Sequence, residues 1–372
     1  MDVDRWTESG LYDASADNAA DRLALLEFLT EQGCDLEEML EADARDRLFA
    51  LAGDRIIRPS RPRFDSEAAA HELGTDSATV SAAWRAFGLP APTESILGTQ
   101  DLEAIRTWLV VTDLVGDEAA SGLARVLGSG AARLAEAESS ALRFGMAGQM
   151  DRAVTGSEAV TARVFAQVTA LVPRIGAVLD AVHRHHLEAA RRHFEEVLPG
   201  LDHSIRCGVG FADLSDFTPM SSAMPLSELS GLLARFEQVC ADTVHEGGGR
   251  LVKFLGDAVM FVAPTADTLA GIACALVRHP KAEQACLKVR AGIAYGDLLA
   301  QDGDYFGPPV NLAARLQALA EPGQVLATPG VVPLLGPGFS AGEGEEREVR
   351  GFDVPIAPYR IERVSALDRS PG

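Results

Sequence analysis

The chain has 372 residues, 47% hydrophobic and 23% charged, which is ordinary for a soluble globular protein and long enough for two domains. Its 33 basic and 54 acidic residues give a net charge of -21, which argues against a nucleic acid or an anionic membrane surface as the main partner. Five cysteines, an odd number with no pair at metal-ligand spacing, argue against a disulfide framework or a zinc module and fit a reducing compartment.

The sequence shows no export signal or membrane segment. Its first residues are acidic and lack an apolar core, so they do not form a signal peptide. The best apolar stretch, residues 108–115, is interrupted by Thr112 and Asp113 and is far too short to span a bilayer. We therefore expect a cytoplasmic protein without a membrane partner.

The first 200 residues predict an all-α helical bundle, because apolar residues recur there at steps of three and four and strand signals are nearly absent. The predicted helices are 20–32, 36–52, 66–73, 77–87, 102–114, 118–127, 131–144 and 160–198. The last of them is a long connector helix that Pro199 and Gly200 close. We interpret residues 1–200 as a helical regulatory domain.

Residues 204–364 change to a β-rich pattern and predict an α+β ferredoxin-like domain of order β-α-β-β-α-β with appended elements. The predicted strands are 206–214, a hairpin over 250–263, a strand pair over 287–300, 325–328, 347–350 and 358–364. The predicted helices are 226–245, 268–278 and 310–320. Residues 365–372 are expected to be a loose tail.

Two carboxylates are predicted to meet at one edge of this sheet. Asp213 ends the first strand, and Asp257 lies in the turn of the hairpin. Hard oxygen ligands with room left for phosphate suit Mg²⁺ or Mn²⁺, and backbone N–H groups after Asp213 could also hold phosphate. Taken singly, Asp213 is better explained as a helix cap and Asp257 as a turn residue, and Asp216 is interpreted as a cap.

Four further residues are weak signals one at a time. Asn311 and Arg315 are four apart on a predicted helix and share a face, as any exposed polar pair would. Asp304 lies in what would pass for an acidic turn. Lys253 could be an edge-strand lysine that prevents aggregation, although the chain has only three lysines against 30 arginines.

Together these residues closely resemble the catalytic domain of class III nucleotidyl cyclases, over residues 206–364. Residues 211–218 read Phe-x-Asp-Leu-x-x-Phe-Thr, and residues 248–257 read Gly-Gly-Arg-x-Val-Lys-x-x-Gly-Asp. Residues 304–315 read Asp-x-x-Gly-x-x-Val-Asn-x-Ala-x-Arg. Six functional positions stand in the order and spacing of the family, so a degenerate domain that keeps the fold but lacks the activity is not indicated.

The resemblance implies a role for each matching residue. Asp213 and Asp257 would bind two Mg²⁺ or Mn²⁺ ions per active site, and Lys253 and Asp304 would select the base. Asn311 would orient the ribose and Arg315 would stabilise the transition state. Phe217 and Thr218 would contribute to substrate binding, as would Arg350, which stands where many members have lysine and can also hold phosphate. The family forms its sites between two catalytic domains, so the resemblance also implies a homodimer.

The base can be argued from hydrogen-bond types. Lysine only donates and ionised aspartate only accepts, which matches the N1 acceptor and the 6-amino donor of adenine. Guanine has a donor at N1 and an acceptor at position 6, so both contacts would be mismatched. Buried mismatches of this kind discriminate strongly between the two bases. The resemblance therefore implies an adenylyl cyclase that converts ATP to 3′,5′-cyclic AMP and pyrophosphate.

The first part resembles the N-terminal helical regulatory domain of soluble bacterial adenylyl cyclases, some of which respond to pH. Four of the eight histidines lie on the connector helix: His183, His185, His186 and His193. One hypothesis is that their protonation shifts this helix, with nearby arginines opposing it; the alternative is a solvated polar face.

A second class of function is a nucleotide-sensing DNA-binding regulator. Residues 66–90 read as helix, glycine turn and helix, like a helix-turn-helix. The second of these helices offers only Arg85 as a basic group, and the first 203 residues carry a net charge of -15. We therefore interpret the segment as bundle packing.

Overall fold

The computed structural model describes residues 2–58, 62–145, 157–197, 204–215, 217–280, 288–344, 346 and 355–364. The chain divides into two compact units, Met1–His186 and Leu187–Gly372, so the last turns of the connector helix belong with the second unit. The predicted boundary near Gly200, the strand predicted at 347–350 and the predicted tail all lie outside the described residues.

The first unit is helical, as predicted. Its helices are Asp2–Glu8, Ala19–Glu31, Leu36–Asp43, Leu51–Ile57, Ser66–Leu73, Ser77–Ala86, Thr99–Val115, Asp117–Gly145 and Glu158–Thr169, with a 3₁₀ turn at Leu48–Ala50 and the start of Val172–Val197. N-cap residues explain where three of these helices begin. The side chains of Asp35, Asp65 and Asp76 accept hydrogen bonds from backbone N–H groups in the first turn of the helix that follows each of them.

Four predicted helices were wrong in extent. Residues 118–127 and 131–144 form one helix, because Gly128 does not end it but allows close approach: a Cβ there would lie 2.2 Å from the carbonyl oxygen of Phe87. The connector predicted as one helix is two, Glu158–Thr169 and Val172–Val197, and Pro173 suits the start of the second. The helix predicted over 36–52 is interrupted before the 3₁₀ turn.

The segment that resembled a helix-turn-helix packs inside the bundle. Gly74, with φ of 69°, links the two helices. Ala70, Val80 and Ala83 are buried in a core that also holds Trp108. The helices are thus used for packing, in agreement with our interpretation.

One helical stretch of the described residues, Glu158–Glu195, is long and apolar enough to cross a membrane by length and composition. It is a different stretch from residues 108–115. A single such stretch is weak evidence for a membrane span, and only 11% of its apolar window is buried.

The second unit contains an eight-stranded sheet, which confirms the predicted ferredoxin-like fold. Its strands are β1 Ser204–Leu214, β2 Arg250–Leu255, β3 Ala258–Ala263, β4 Val289–Gln301, β5 Asp304–Phe306, β6 Val325–Ala327, β7 Phe339–Glu343 and β8 Tyr359–Arg363. The order is β2-β3-β1-β4-β6-β8-β7, with β5 paired to β4. β4 and β6 are parallel, and the other pairs are antiparallel.

The strand pair predicted over 287–300 is wrong. Val289–Gln301 is one strand that turns back only at Asp302 and Gly303. Both residues have positive φ, 53° and 77°, which is the conformation that a two-residue hairpin turn requires. β5 begins directly after this turn, so the turn determines the position of Asp304, the first residue of β5.

Helices cover both faces of the sheet and so set the position of the site. Besides the end of Val172–Val197, the described residues of this unit form the helices Phe217–Ala223, Leu226–Glu246, Ala266–Val277 and Pro308–Leu319, with a 3₁₀ turn at Val332–Leu334. Of the four helices that begin with Phe217–Ala223, the second and third bury Phe261 and Ile293 on one face, and the fourth helps to bury Val209 and Ala294 on the other.

Candidate active site

Asp213 and Asp257 meet at one edge of the sheet, where the sequence predicted them. Asp213 is opposite Ala258 in the pairing of β1 with β3, directly beyond the hairpin turn. The backbone N–H of Leu214 donates to the carbonyl of Asp257 at 3.2 Å. Gly256 has φ of 67°, so the turn that presents Asp257 uses glycine for its left-handed conformation.

Arg290 belongs to this cluster and was missed by sequence reasoning. It faces Asp213 across the β1–β4 pairing, and its Nε and Nη2 donate to the two carboxylate oxygens at 2.9 and 3.2 Å. Its Nη1 donates to the carbonyl of Ala318 at 3.1 Å. The only available signal was an arginine near the start of a mostly apolar strand, and the register that brings it to Asp213 could not be obtained from that.

The electrostatics of the edge favour a bound cation. Burial raises the pKa of Asp257, the nearby Asp213 raises it further, and Arg290 opposes the shift. Two carboxylates supply hard oxygen donors of the kind that Mg²⁺ and Mn²⁺ take, so the donor set fits such ions. Among the described residues no group of three or more His, Cys, Asp or Glu gathers as a complete metal cage, so phosphate or water would have to complete the coordination.

Lys253 and Asp304 form an ion pair although 51 residues separate them. Lys253 is on β2, and Asp304 is the first residue of β5. The lysine ammonium donates to Oδ2, and the backbone N–H of Tyr305 donates to Oδ1 at 2.9 Å. Their side chains are 38% and 26% exposed, so a ligand can still reach both.

Asn311 and Arg315 lie together on the exposed face of helix Pro308–Leu319. The opposite face is seated on the sheet at Gly292, where a Cβ would lie 2.1 Å from the backbone nitrogen of Gln317. Only glycine permits this approach. Arg315 has no carboxylate partner among the described residues, so its charge is available to a ligand.

The remaining predicted substrate residues are less well defined. Phe217 is partly buried and packs against the main core of the sheet, so its ring anchors the segment after Asp213. The side chain of Thr218, together with Asp216 and Arg350, lies outside the described part of the structure. Their roles stay predictions.

The four connector histidines have different surroundings. His183, His185 and His186 are exposed, whereas His193 is half-buried and its Nε2 lies 3.3 Å from the hydroxyl of Tyr305. The three nearby arginines, which we expected to oppose protonation, form i,i+4 ion pairs, Arg184 with Asp180, Arg191 with Glu195 and Arg192 with Glu188. These carboxylates offset much of the arginine charge.

Comparison with known proteins identifies both parts of the chain. The family model described as "Adenylate and Guanylate cyclase catalytic domain" matches residues 202–362. The model described as "Adenylate cyclase regulatory domain" matches residues 4–191. The two matches together span nearly the whole chain.

Relatives agree with these matches. An uncharacterised protein of Mycobacterium tuberculosis is 45% identical over 346 residues, 92% of this chain and 91% of that protein. An adenylate cyclase of Streptomyces coelicolor is 33% identical over 291 residues, 77% of this chain and 75% of that protein. A pH-sensitive adenylate cyclase of M. tuberculosis is 28% identical over 372 residues, 95% of this chain and 91% of that protein.

Among solved structures, that of an adenylyl cyclase from P. aeruginosa is similar, with 24% identity and a TM-score of 0.41 over 45% of this chain and 98% of that chain. The family assignment depends on the two matched domains and on the relatives above 30% identity. The chain belongs to the class III adenylyl cyclases and is an adenylate cyclase with a regulatory domain ahead of its catalytic domain.

Proposed function

We propose that this protein converts ATP to 3′,5′-cyclic AMP and pyrophosphate. The 3′-hydroxyl loses its proton to solvent, and the ribose 3′-oxygen forms a bond to the α-phosphorus. The bond from that phosphorus to the pyrophosphate oxygen breaks, and its electron pair leaves with pyrophosphate. The observation that carries the proposal is the Lys253–Asp304 ion pair, which sets a donor beside an acceptor in the same unit as Asp213 and Asp257.

Asp213 and Asp257 would hold two Mg²⁺ or Mn²⁺ ions. Bound there, the ions would acidify the 3′-hydroxyl and neutralise phosphate charge. Asp213 is 15% exposed and fixed by Arg290, so its carboxylate is already oriented before a ligand arrives. Asp257 is the more weakly held of the two, since its partners include no cation at hydrogen-bond distance among the described residues.

Lys253 and Asp304 would read the adenine. The ammonium of Lys253 has three protons and uses one on Asp304, so another can meet N1 of the base. The carboxylate of Asp304 can accept from the 6-amino group. Guanine would set its N1–H against the lysine and its carbonyl against the aspartate, so GTP is the disfavoured substrate.

Asn311 would orient the ribose, and Arg315 would stabilise charge that develops on the phosphates in the transition state. An arginine without a carboxylate partner suits this role, because a contact that strengthens only in the transition state raises kcat. All six residues are present in one chain, so a twofold homodimer that shares its sites between copies would hold two complete ones.

We also propose that the helical regulatory domain controls this activity, with pH as one signal. A relative that covers 95% of this chain is named pH-sensitive adenylate cyclase. Of the connector histidines, His193 is the one that contacts Tyr305 in the catalytic unit. Histidine is the side chain that changes its charge near neutral pH, and this one lies at the end of the helix that joins the two domains.

The proposal is tested with purified full-length protein and ATP or GTP, each with Mg²⁺ or Mn²⁺, by measuring both cyclic nucleotides. We expect cyclic AMP from ATP, with the product lost in Asp257→Ala. Cyclic GMP as the main product would contradict the reading of Lys253 and Asp304. No cyclic product from either nucleotide would contradict the proposal as a whole.

The shared site has its own test. Asp257→Ala and Arg315→Ala are each expected to be inactive. If the two residues act in one site from different copies, mixed dimers contain one intact site, and an equal mixture should recover about a quarter of wild-type activity. No recovery after unfolding and joint refolding would contradict the shared site and leave the reaction itself unaffected.

A further inference from the structure

The last turns of the connector helix pack directly on the catalytic unit. Residues from Leu187 onward belong to this unit. Phe194 packs against a buried cluster that includes Ile205 and Val209 of β1 and Leu298 of β4. The end of Val172–Val197 is therefore held by apolar contacts on the face of the sheet that also carries Tyr305.

One polar contact in this packing involves His193 and Tyr305. The Tyr305 hydroxyl lies 3.3 Å from His193 Nε2, and the two rings meet edge to face with centroids 6.4 Å apart. Tyr305 is only 4% exposed, and burial raises the pKa of its hydroxyl. His193 is the hydrogen-bond partner that the described residues offer to this hydroxyl, and a buried hydroxyl without a partner is costly.

Tyr305 in turn holds the carboxylate that is proposed to read the base. Its backbone N–H donates to Oδ1 of Asp304 at 2.9 Å, while the ammonium of Lys253 donates to Oδ2. A shift of Tyr305 moves this N–H, because the peptide plane that joins Asp304 and Tyr305 is rigid. A continuous series of contacts thus runs from the connector helix to the Lys253–Asp304 pair.

We infer that His193 and Tyr305 are positioning residues for Asp304, so that the end of the connector helix sets the affinity and the base preference of the nucleotide site. This inference rests on the proposed function of Asp304. Tyr305 is buried and contacts Asp304 through its backbone N–H, so we assign neither residue a contact with the nucleotide. Both act on it by fixing the direction in which Asp304 presents its free lone pairs to the 6-amino group.

Conservative substitutions can distinguish a role of these two residues in nucleotide binding from a role in the stability of the fold. Tyr305→Phe keeps the buried ring and removes only the hydroxyl, and His193→Leu keeps a similar volume and removes the ring nitrogen that meets this hydroxyl. His193→Gln keeps a hydrogen-bonding amide near the position of Nε2. His185→Leu, at an exposed position of the same helix, is the matched control.

We expect Tyr305→Phe and His193→Leu in the full-length protein each to raise KM for ATP about fivefold, the size of one lost hydrogen bond, and to lower the preference for ATP over GTP similarly. The kcat values should stay within about twofold, because no group that meets the transition state has changed. The double variant should be no worse than either single one, since both remove the same bond. His193→Gln should restore KM, and His185→Leu should match wild type.

A merely structural role would lower the melting temperature and leave KM and base preference at wild-type values, and that result would overturn the inference while cyclic AMP synthesis by the wild type stands. Additive effects in the double variant would also overturn it, because the residues would then not act through one bond. A wild type that makes no cyclic nucleotide would overturn the proposed function, and the inference with it.

Discussion

The guanidinium of Arg290 holds the carboxylate of Asp213 by two hydrogen bonds, from Nε to Oδ1 at 2.9 Å and from Nη2 to Oδ2 at 3.2 Å. Bidentate pairs of this kind are the stronger form of ion pair and fix the plane of the carboxylate. The carboxylate held in this way is one of the two proposed to bind divalent ions, so arginine and metal would share its charge.

Removing that shared charge should tighten metal binding. In Arg290→Gln the two carboxylates lose a nearby cation, and we expect the dissociation constant of Mn²⁺ to fall about threefold, the scale of a partly exposed ion pair. Titration of nucleotide-free protein followed by electron paramagnetic resonance would measure it. Arg360→Gln, which breaks an exposed pair with Glu362 on β8, is the control. Weaker Mn²⁺ binding in Arg290→Gln would show that orientation matters more than charge.

The raised pKa of Asp257 has a consequence for stability. The folded protein holds this proton more tightly than the unfolded chain, whose carboxyl has the ordinary value of 3.8. Ionisation therefore destabilises the fold, and the penalty grows as pH rises above 3.8 and is complete above the raised pKa. The neutral variant Asp257→Asn lacks this penalty and should melt higher than wild type at about pH 7 without metal, with the difference lost as the pH falls below 3.8.

The same variant should lose activity at least about a hundredfold, since it loses a metal ligand. Thermal denaturation in the presence of a chelator and a cyclic AMP assay measure the two effects. Asp242→Asn, at an exposed position on helix Leu226–Glu246, should change neither. A lower melting temperature for Asp257→Asn at neutral pH would contradict the electrostatic argument.

Gly292 is expected to be essential for the helix that carries Asn311 and Arg315. A Cβ at this position would lie 2.1 Å from the nitrogen of Gln317 and 2.2 Å from the carbonyl oxygen of Ala313, both of them backbone atoms that cannot rotate away. Gly292→Ala should cost about 1–3 kcal/mol of unfolding free energy in urea, with a loss of kcat. Gly330→Ala, where a Cβ would meet nothing within 4 Å, should be close to neutral.

The sequence predicted more of the site than of the helix boundaries. Asp213 and Asp257 could be placed at one sheet edge because the predicted strand pairing brings them there, whereas the pairing of Lys253 with Asp304 was implied by the resemblance to the cyclase family. The position of Arg290 could not be predicted, because its contact with Asp213 depends on the exact register of β4. That register is determined by packing rather than by a local sequence pattern.

Close backbone approach is the other feature that sequence patterns do not reveal. The helices predicted over 118–127 and 131–144 are one continuous helix, and Gly128 is the point where this helix approaches the backbone of Phe87. Likewise, nothing local indicated that His193 would contact Tyr305 while three neighbouring histidines stay exposed. Glycine and histidine each serve several purposes, and tertiary contacts decide which one applies.

Exchange of the two base-reading groups should invert the preference for the base. Lys253→Glu offers an acceptor to the N1–H of guanine, and Asp304→Asn offers an amide donor to its carbonyl. We expect the ratio of kcat/KM for GTP to that for ATP to rise by about a hundredfold in the double variant, since each mismatch becomes a match. Steady-state assays with both nucleotides measure this ratio, and a fall in both activities without a change in the ratio would contradict the assignment.

Of the four connector histidines proposed to sense pH, the structure favours His193. The exposed side chains of His183, His185 and His186 face solvent, where a change of charge is screened, whereas His193 meets Tyr305. The charged groups around this contact are Arg250 and Asp304, which influence Tyr305, and the Arg191–Glu195 and Arg192–Glu188 pairs on the helix itself.

In protonated His193 both ring nitrogens carry a proton, so Nε2 can only donate and the Tyr305 hydroxyl must accept. His193→Gln keeps a hydrogen bond but cannot titrate, and it should reduce the change in activity between about pH 5.5 and 8 to less than half of the wild-type change. Activity profiles of the full-length protein measure this, with His185→Gln as the control that keeps the wild-type profile. If the His193→Gln profile superimposes on that of the wild type, proton sensing resides elsewhere in the chain, and the His193–Tyr305 contact acts by position alone.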